Sequence, residues 1–107
     1  MVLRKLTECE LQVMKIIWEK EREMNLQEIL KEVNLKYGKD WKPQTVSTFL
    51  ARLVRKGYLN MYRSGRTFLY TPIVEENVCF HNYVLHSAII WCDGDTQQYL
   101  KKIQIQV

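Results

Sequence analysis

The chain has 107 residues and a net charge of +4, with 47% hydrophobic and 26% charged residues. That length fits one domain with room for a small appendage, and the composition is ordinary for a soluble globular protein. No apolar run approaches the ~20 residues needed to span a bilayer. No signal-peptide hydrophobic segment follows Met1-Val2-Leu3-Arg4-Lys5, so the protein is expected in the cytoplasm.

The three cysteines, Cys9, Cys79 and Cys92, are widely spaced and form no Cys-x-x-Cys pair. They fit neither a disulfide framework nor a zinc finger, and read as small apolar filler. The charge is uneven along the chain. Residues 1–74 carry 14 Lys/Arg against 8 Asp/Glu, whereas residues 75–107 carry 2 Lys against 4 acids. Within 42–70 stand six cations, Lys42, Arg52, Arg55, Lys56, Arg63 and Arg66, and no acid. Solvated faces usually mix both signs, so a block of one sign is the electrostatic signature of polyanion binding.

Taken in order, Thr7-Glu8-Cys9-Glu10 is a capping box that opens a helix through about Lys20. Its predicted apolar stripe is Leu11, Met14, Ile17 and Trp18, with Glu10, Gln12, Lys15 and Glu19 on the wet side. The run Glu19–Glu23 reads as a solvated helix end and turn, and Met24 as a strand of one or two residues. Asn25-Leu26-Gln27-Glu28 is a second capping box. The helix it opens is expected to bury Leu26, Ile29, Leu30 and Val33 and to stop near Gly38.

The third predicted helix spans about 43–57. Pro43 suits the first helical position, where a missing N–H costs nothing. Gly57 suits the stop. Val46, Leu50, Leu53 and Val54 share one side at helical spacing. Gln44, Thr45, Ser47, Thr48, Arg52, Arg55 and Lys56 are left for the remaining surface. Short donor–acceptor groups near one end and cations near the other suit base edges and phosphates respectively.

Beyond it the period changes. Residues 58–63 and 67–71 read as two strands of a β-hairpin, with Ser64-Gly65-Arg66 as the turn and Pro72 as the stop. The expected fold is mainly α with a small antiparallel hairpin: a winged helix-turn-helix over 1–74, with the wing at about 59–71. The wing tip carries Arg63, Ser64 and Arg66, placed to meet the backbone of a duplex.

Residues 75–107 read as a short helical segment. A helix is expected to about Trp91, then a break at Asp93-Gly94-Asp95, then a second helix from Thr96 to about Lys102. Ile103–Val107 alternates at period two and suits a strand or a frayed end. Val78, Leu85, Ala88, Ile89 and Cys92, with Tyr99, Leu100 and Ile103 beyond the break, are the candidates for a homodimer contact. Without a partner, so apolar a helix has little to pack against.

Catalysis and metal binding find little purchase. His81 and His86 are five apart, which points two helical side chains roughly 140° apart. No Ser/His/Asp arrangement, Gly-rich phosphate loop or cofactor motif stands out, so no enzyme activity, metal or cofactor is expected. A winged helix used only for protein contacts is the other rival. The acid-free span from Lys42 to Tyr70 argues against it.

The first 74 residues resemble the penicillinase-repressor family, the BlaI/MecI/CopY type of bacterial winged-helix repressor. The likeness is carried by Leu6-Thr7-Glu8-Cys9-Glu10-Leu11-Gln12-Val13-Met14-Lys15-Ile16-Ile17-Trp18 and by Gln27-Glu28-Ile29. It continues through Trp41, Thr45-Val46, Thr48, Leu50, Arg52-Leu53 and Lys56-Gly57-Tyr58-Leu59 to Tyr70-x-Pro72. The resemblance implies a cytoplasmic repressor that binds a two-fold operator as a dimer. It implies that Lys42, Gln44, Thr45, Thr48 and Arg52 face the major groove and that Arg63, Ser64 and Arg66 touch the backbone. It also implies control of a β-lactamase or related resistance operon, with a membrane sensor protease that relieves repression by cutting the C-terminal part. The tail departs from the family pattern. It has no Lys or Arg between Arg66 and Lys101, no Asn-Phe pair of the kind cut in resistance repressors, and no Cys-x-Cys pairs of copper-responsive members.

Overall fold

A computed structural model describes residues 3–104. The N-terminal unit, up to Glu75, contains three helices and a hairpin. Helix α1 (Glu8–Lys20) opens with the full capping box: Thr7 Oγ1 accepts from the Glu10 N–H and Glu10 Oε1 accepts from the Thr7 N–H. Helix α2 (Leu26–Tyr37) opens with the same reciprocal pair between Asn25 and Glu28. These two boxes satisfy donors that a helix start otherwise leaves open.

Helix α3 (Pro43–Arg55) has Pro43 at its first position. It ends in a Schellman motif: Tyr58 N–H reaches the Leu53 carbonyl (2.9 Å) and Gly57 N–H the Val54 carbonyl (3.1 Å). Gly57 stands at φ +83°, a conformation that a Cβ would strain. Leu53 and Tyr58, the pair that packs across such a cap, are both buried.

Strand β1 (Leu59–Ser64) pairs antiparallel with β2 (Thr67–Pro72), Ser64 opposite Thr67 and Leu59 opposite Pro72. The turn is two residues long, Gly65-Arg66, with Gly65 at φ +64°. A left-handed glycine at the first central position is the pattern of the II′ hairpin turn, whose twist matches its strands. Met24 adds a single bridge to Tyr70, as its apolar isolation before a capping box suggests.

The core of this unit is built by Val13, Met14, Ile16 and Ile17 of α1, Ile29 and Val33 of α2, and Val46, Leu50 and Leu53 of α3. Met24, Tyr58, Leu59 and Tyr70 close it from the hairpin side. Burial of each large aliphatic contributes about 1.5–3 kcal/mol. Trp18 Nε1–H donates to the Val74 carbonyl (2.9 Å), tying the chain after the wing to α1.

Several expectations are corrected. The α1 stripe turns further than drawn, since Val13 and Ile16 are buried while Leu11 and Trp18 are half-buried. Leu26 and Leu30 are also only half-buried. Tyr58 lies outside the first strand because it serves the cap of α3. The largest error concerns Glu10, assigned to the wet side, whose exposure is 0%. The box residue turns inward because a cation meets it there, as described below.

The C-terminal unit begins at Glu76. Helix α4 (Glu76–Cys92) carries no Lys, Arg, Asp or Glu after its first residue. It ends where Asp93 and Gly94 adopt φ +51° and +88°. Asp95 then caps α5 (Thr96–Ile103) by accepting from the Gln98 N–H. The two helices pack together, and Tyr99 Oη donates to Ser87 Oγ (2.9 Å). Ile103 is helical rather than extended, and Ile105–Val107 lie outside the described residues.

Candidate nucleic-acid interface

The buried face of α3 fixes what the opposite face can show. With Val46, Leu50 and Leu53 inward, Gln44, Ser47, Thr48, Ala51, Arg52 and Arg55 are all exposed. At 100° per residue they fall within an arc of about 140°. Lys42 is exposed just ahead of the helix, and Thr45 sits half-buried at the edge of the arc. Thr48 Oγ1 donates to the Gln44 carbonyl (3.0 Å), so its oxygen remains as an acceptor on the outer surface. Ala51 escaped the sequence reading because it carries no polar group. Its place three residues after Thr48 was the available signal, since a methyl permits close approach to bases and meets the thymine methyl.

The start of α3 is held by α2. Asn34 Oδ1 accepts from the Trp41 N–H and Asn34 Nδ2 donates to the Trp41 carbonyl, both at 3.1 Å. The Trp41 ring lies 5.1 Å from that of Phe49. This clasp sets the angle between the two helices of the helix-turn-helix, and no spacing rule announced it.

On the wing, Arg63, Ser64 and Arg66 are exposed. Arg63 is set in place: its Nε–H donates to the Gly65 carbonyl (3.1 Å) and its guanidinium lies 5.9 Å from the Phe68 ring. An exposed guanidinium fixed in this way is a preorganised donor of the kind phosphates accept. Tyr62 Oη donates to Glu23, which ties the wing to the loop before α2. The Glu23 carboxylate holds the Tyr62 phenol above its ordinary pKa.

Two assigned cations are engaged elsewhere. Lys42 lies 3.6 Å from Asp40, but both side chains are largely in solvent and such pairs are weak. Lys56, expected among the phosphate contacts, is instead turned inward: its Nζ donates to Glu10 Oε1 (2.7 Å) and to the Lys5 carbonyl (2.9 Å). Its side chain is mostly covered, so the charge offered outward is that of Lys42, Arg52, Arg55, Arg63 and Arg66. Burial raises the Glu10 pKa, but the Lys56 and Thr7 hydrogen bonds and the Lys56 charge outweigh it and hold the carboxyl below its ordinary value.

In the C-terminal unit, Val78, Leu85, Ile89, Leu100 and Ile103 are exposed. Ala88 and Cys92, grouped with them from sequence, are buried within this chain and present nothing to a partner. Tyr99 is half-buried with its hydroxyl committed to Ser87. The sequence reading missed Phe80, Ile90 and Trp91, which are exposed at 63%, 76% and 68%. A seven-residue template does not see them: Phe80 and Trp91 lie on the side of α4 opposite Val78, Leu85 and Ile89. Among the described residues no three of His, Cys, Asp and Glu gather as metal ligands. No helix there is long and apolar enough to cross a membrane.

Three helices with a clasped second turn, a polar exposed third helix and a basic two-stranded hairpin beside it define a winged helix-turn-helix. The chain belongs to the penicillinase-repressor family, whose model matches residues 6–104. That family is one of repressors rather than of enzymes. The penicillinase repressor of Bacillus licheniformis is 43% identical over 72 residues, 67% of this chain and 54% of that protein. The solution structure of monomeric B. licheniformis BlaI in complex with the blaP half-operator is similar with a TM-score of 0.58 at 39% identity, covering 72% of this chain and 90% of that one. The MecI methicillin-resistance regulator of Staphylococcus aureus N315 is 33% identical over 72 residues, 67% of this chain and 56% of that protein. The chain thus spans about half the length of the curated relatives it matches.

Proposed function

We propose that this chain is a non-enzymatic, sequence-specific DNA-binding transcriptional repressor working in the cytoplasm. Helix α3 reads base edges in the major groove and the wing grips the sugar–phosphate backbone. The observation that carries the reading is the exposed arc of α3, where Gln44, Ser47, Thr48 and Ala51 are bounded by Arg52 and Arg55 with no acid among them. Short polar groups and a methyl discriminate base edges, whereas the arginines supply sequence-independent attraction. Arg63, Ser64 and Arg66 extend that attraction along the backbone. The likeness to BlaI, whose half-operator complex has been solved, supports duplex DNA as the ligand.

One winged helix covers about half a turn of groove, so two copies are needed to read a two-fold site. The exposed stripe of Val78, Leu85 and Ile89, with Leu100 and Ile103, supplies an apolar surface for that pairing. Family likeness supports regulated genes of the β-lactamase or antibiotic-resistance type. It also suggests a membrane sensor protease as inducer, although the tail has no Asn-Phe pair of the kind cut in resistance repressors.

A gel shift with the blaP operator duplex against a shuffled duplex of equal length tests the reading. Preferential retardation of the operator, weakened by salt, is the expected result. Equal binding of both at every salt concentration would sink sequence reading. No binding to either would sink the DNA assignment altogether.

A further inference from the structure

The reading helix is anchored at its two ends to two different elements. Asn34 of α2 holds its start through Trp41. Its end is held through Lys56 and Tyr58. Lys56 Nζ meets Glu10 Oε1 and the Lys5 carbonyl, and Tyr58 Oη donates to the Arg4 carbonyl (2.6 Å). Glu10 Oε1 accepts from the Thr7 N–H (2.8 Å) as well, so one oxygen joins the cap of α1 to the cap of α3. The second oxygen, Oε2, is buried and makes no hydrogen bond.

Such a pair is a poor way to add stability. Desolvating a carboxylate offsets most of what its pairing returns, and well-packed apolar groups often serve as well or better. A surface lysine would meet the negative end of the α3 dipole equally well. What a hydrogen-bonded charge pair can supply is directional register between two helices, the best-attested use of such pairs. A binding site needs its groups held within about 0.5 Å of their working geometry.

We propose that Glu10 and Lys56 are positioning residues for base reading: their buried pair fixes the C-terminal end of α3 on α1, and Lys56 touches no phosphate. The inference rests on the DNA-reading proposal above. It also explains why a cation in the most basic stretch of the chain points away from solvent. Glu10 cancels its charge, so removing the pair together costs the duplex no attraction.

The test uses the full chain and two duplexes, one that the unmodified protein selects from a random pool and its shuffled counterpart. Lys56→Met strands a buried carboxylate and can compromise folding. The double variant E10Q/K56M is therefore measured beside it, since Gln keeps an oxygen for the Thr7 N–H and no charge is left alone. Affinities are recorded across a salt series. The selected-to-shuffled ratio should fall by about tenfold in the double variant, within the coupling range of residues in contact, while the slope of log affinity against log salt stays at the unmodified value. Lys56→Arg, which keeps a cationic donor, should retain more of the ratio than Lys56→Met. A slope reduced by about one for each subunit, with the ratio intact, would show Lys56 on a phosphate and overturn the proposal. If the unmodified chain selects no duplex, the DNA reading fails by itself, and amide hydrogen exchange over 53–58 then decides the pair. Faster exchange there in E10Q/K56M, with the rest of the N-terminal unit unchanged, upholds the pair, and equal exchange overturns it.

Discussion

At the scale of single residues, the proposed function assigns base contacts to α3 and backbone contacts to the wing. Thr48 offers its oxygen as an acceptor because its proton is given to the Gln44 carbonyl. Thr48→Ala should lower discrimination between operator and random duplex by about 1–3 kcal/mol if the contact is a good one. Arg66→Ala should weaken both duplexes alike and reduce the salt slope by about one per subunit. Competition anisotropy on the two duplexes separates these outcomes, and the reverse pattern would exchange the roles of helix and wing. Glu10 makes a prediction in acid. Its folded-state pKa lies below the ordinary value of 4.5, so its contribution to stability is complete above that value and is lost as pH falls through the folded pKa. Thermal unfolding between about pH 6 and pH 3 should therefore fall more steeply for the unmodified chain than for Glu10→Gln. Parallel curves would remove Glu10 from the acid response.

At the scale of elements, punctuation residues made the fold legible. Thr7, Asn25, Pro43, Gly57 and Gly65 each stand where their chemistry places them, at a cap, a first turn, a stop or a hairpin. The apolar face of α3 was equally plain, because Val46, Leu50 and Leu53 repeat at helical spacing and all are buried. Leu50→Ala should cost about 2–5 kcal/mol of stability, the range for emptying a filled core site, measured by chemical denaturation. A cost below about 1 kcal/mol would place Leu50 outside the core. What escaped the sequence were contacts between elements. A capping-box glutamate is equally consistent with solvent, and only the arrival of Lys56, 46 residues away, turns Glu10 inward. The clasp of Asn34 on Trp41 is likewise a matter of tertiary placement. On α4 the period failed for a different reason: apolar residues lie on every side, so no stripe marks which of them are buried.

At the scale of the whole molecule, the two units carry opposite charge, cations crowding the N-terminal one and acids outnumbering lysines in the other. Under the proposed function, that division suits a DNA-reading head that needs attraction and a pairing tail that needs apolar contact. Placing a charge on the exposed stripe, as Leu85→Glu or Ile89→Glu, should convert a dimer to a monomer by light scattering at micromolar concentration. It should also weaken operator binding without changing the salt response of each head, since two linked heads share one association cost. Monomeric mass for the unmodified chain would discard the tail as a dimer contact.

The central claim, that the exposed α3 face and the wing hold duplex DNA largely through charge, is tested most directly by operator affinity measured from about 50 to 200 mM salt. Five outward cations stand on that surface in each subunit, and if about four of them meet phosphates, a dimer's log affinity should fall against log salt with a slope of about −7. An affinity that does not change with salt would contradict the account.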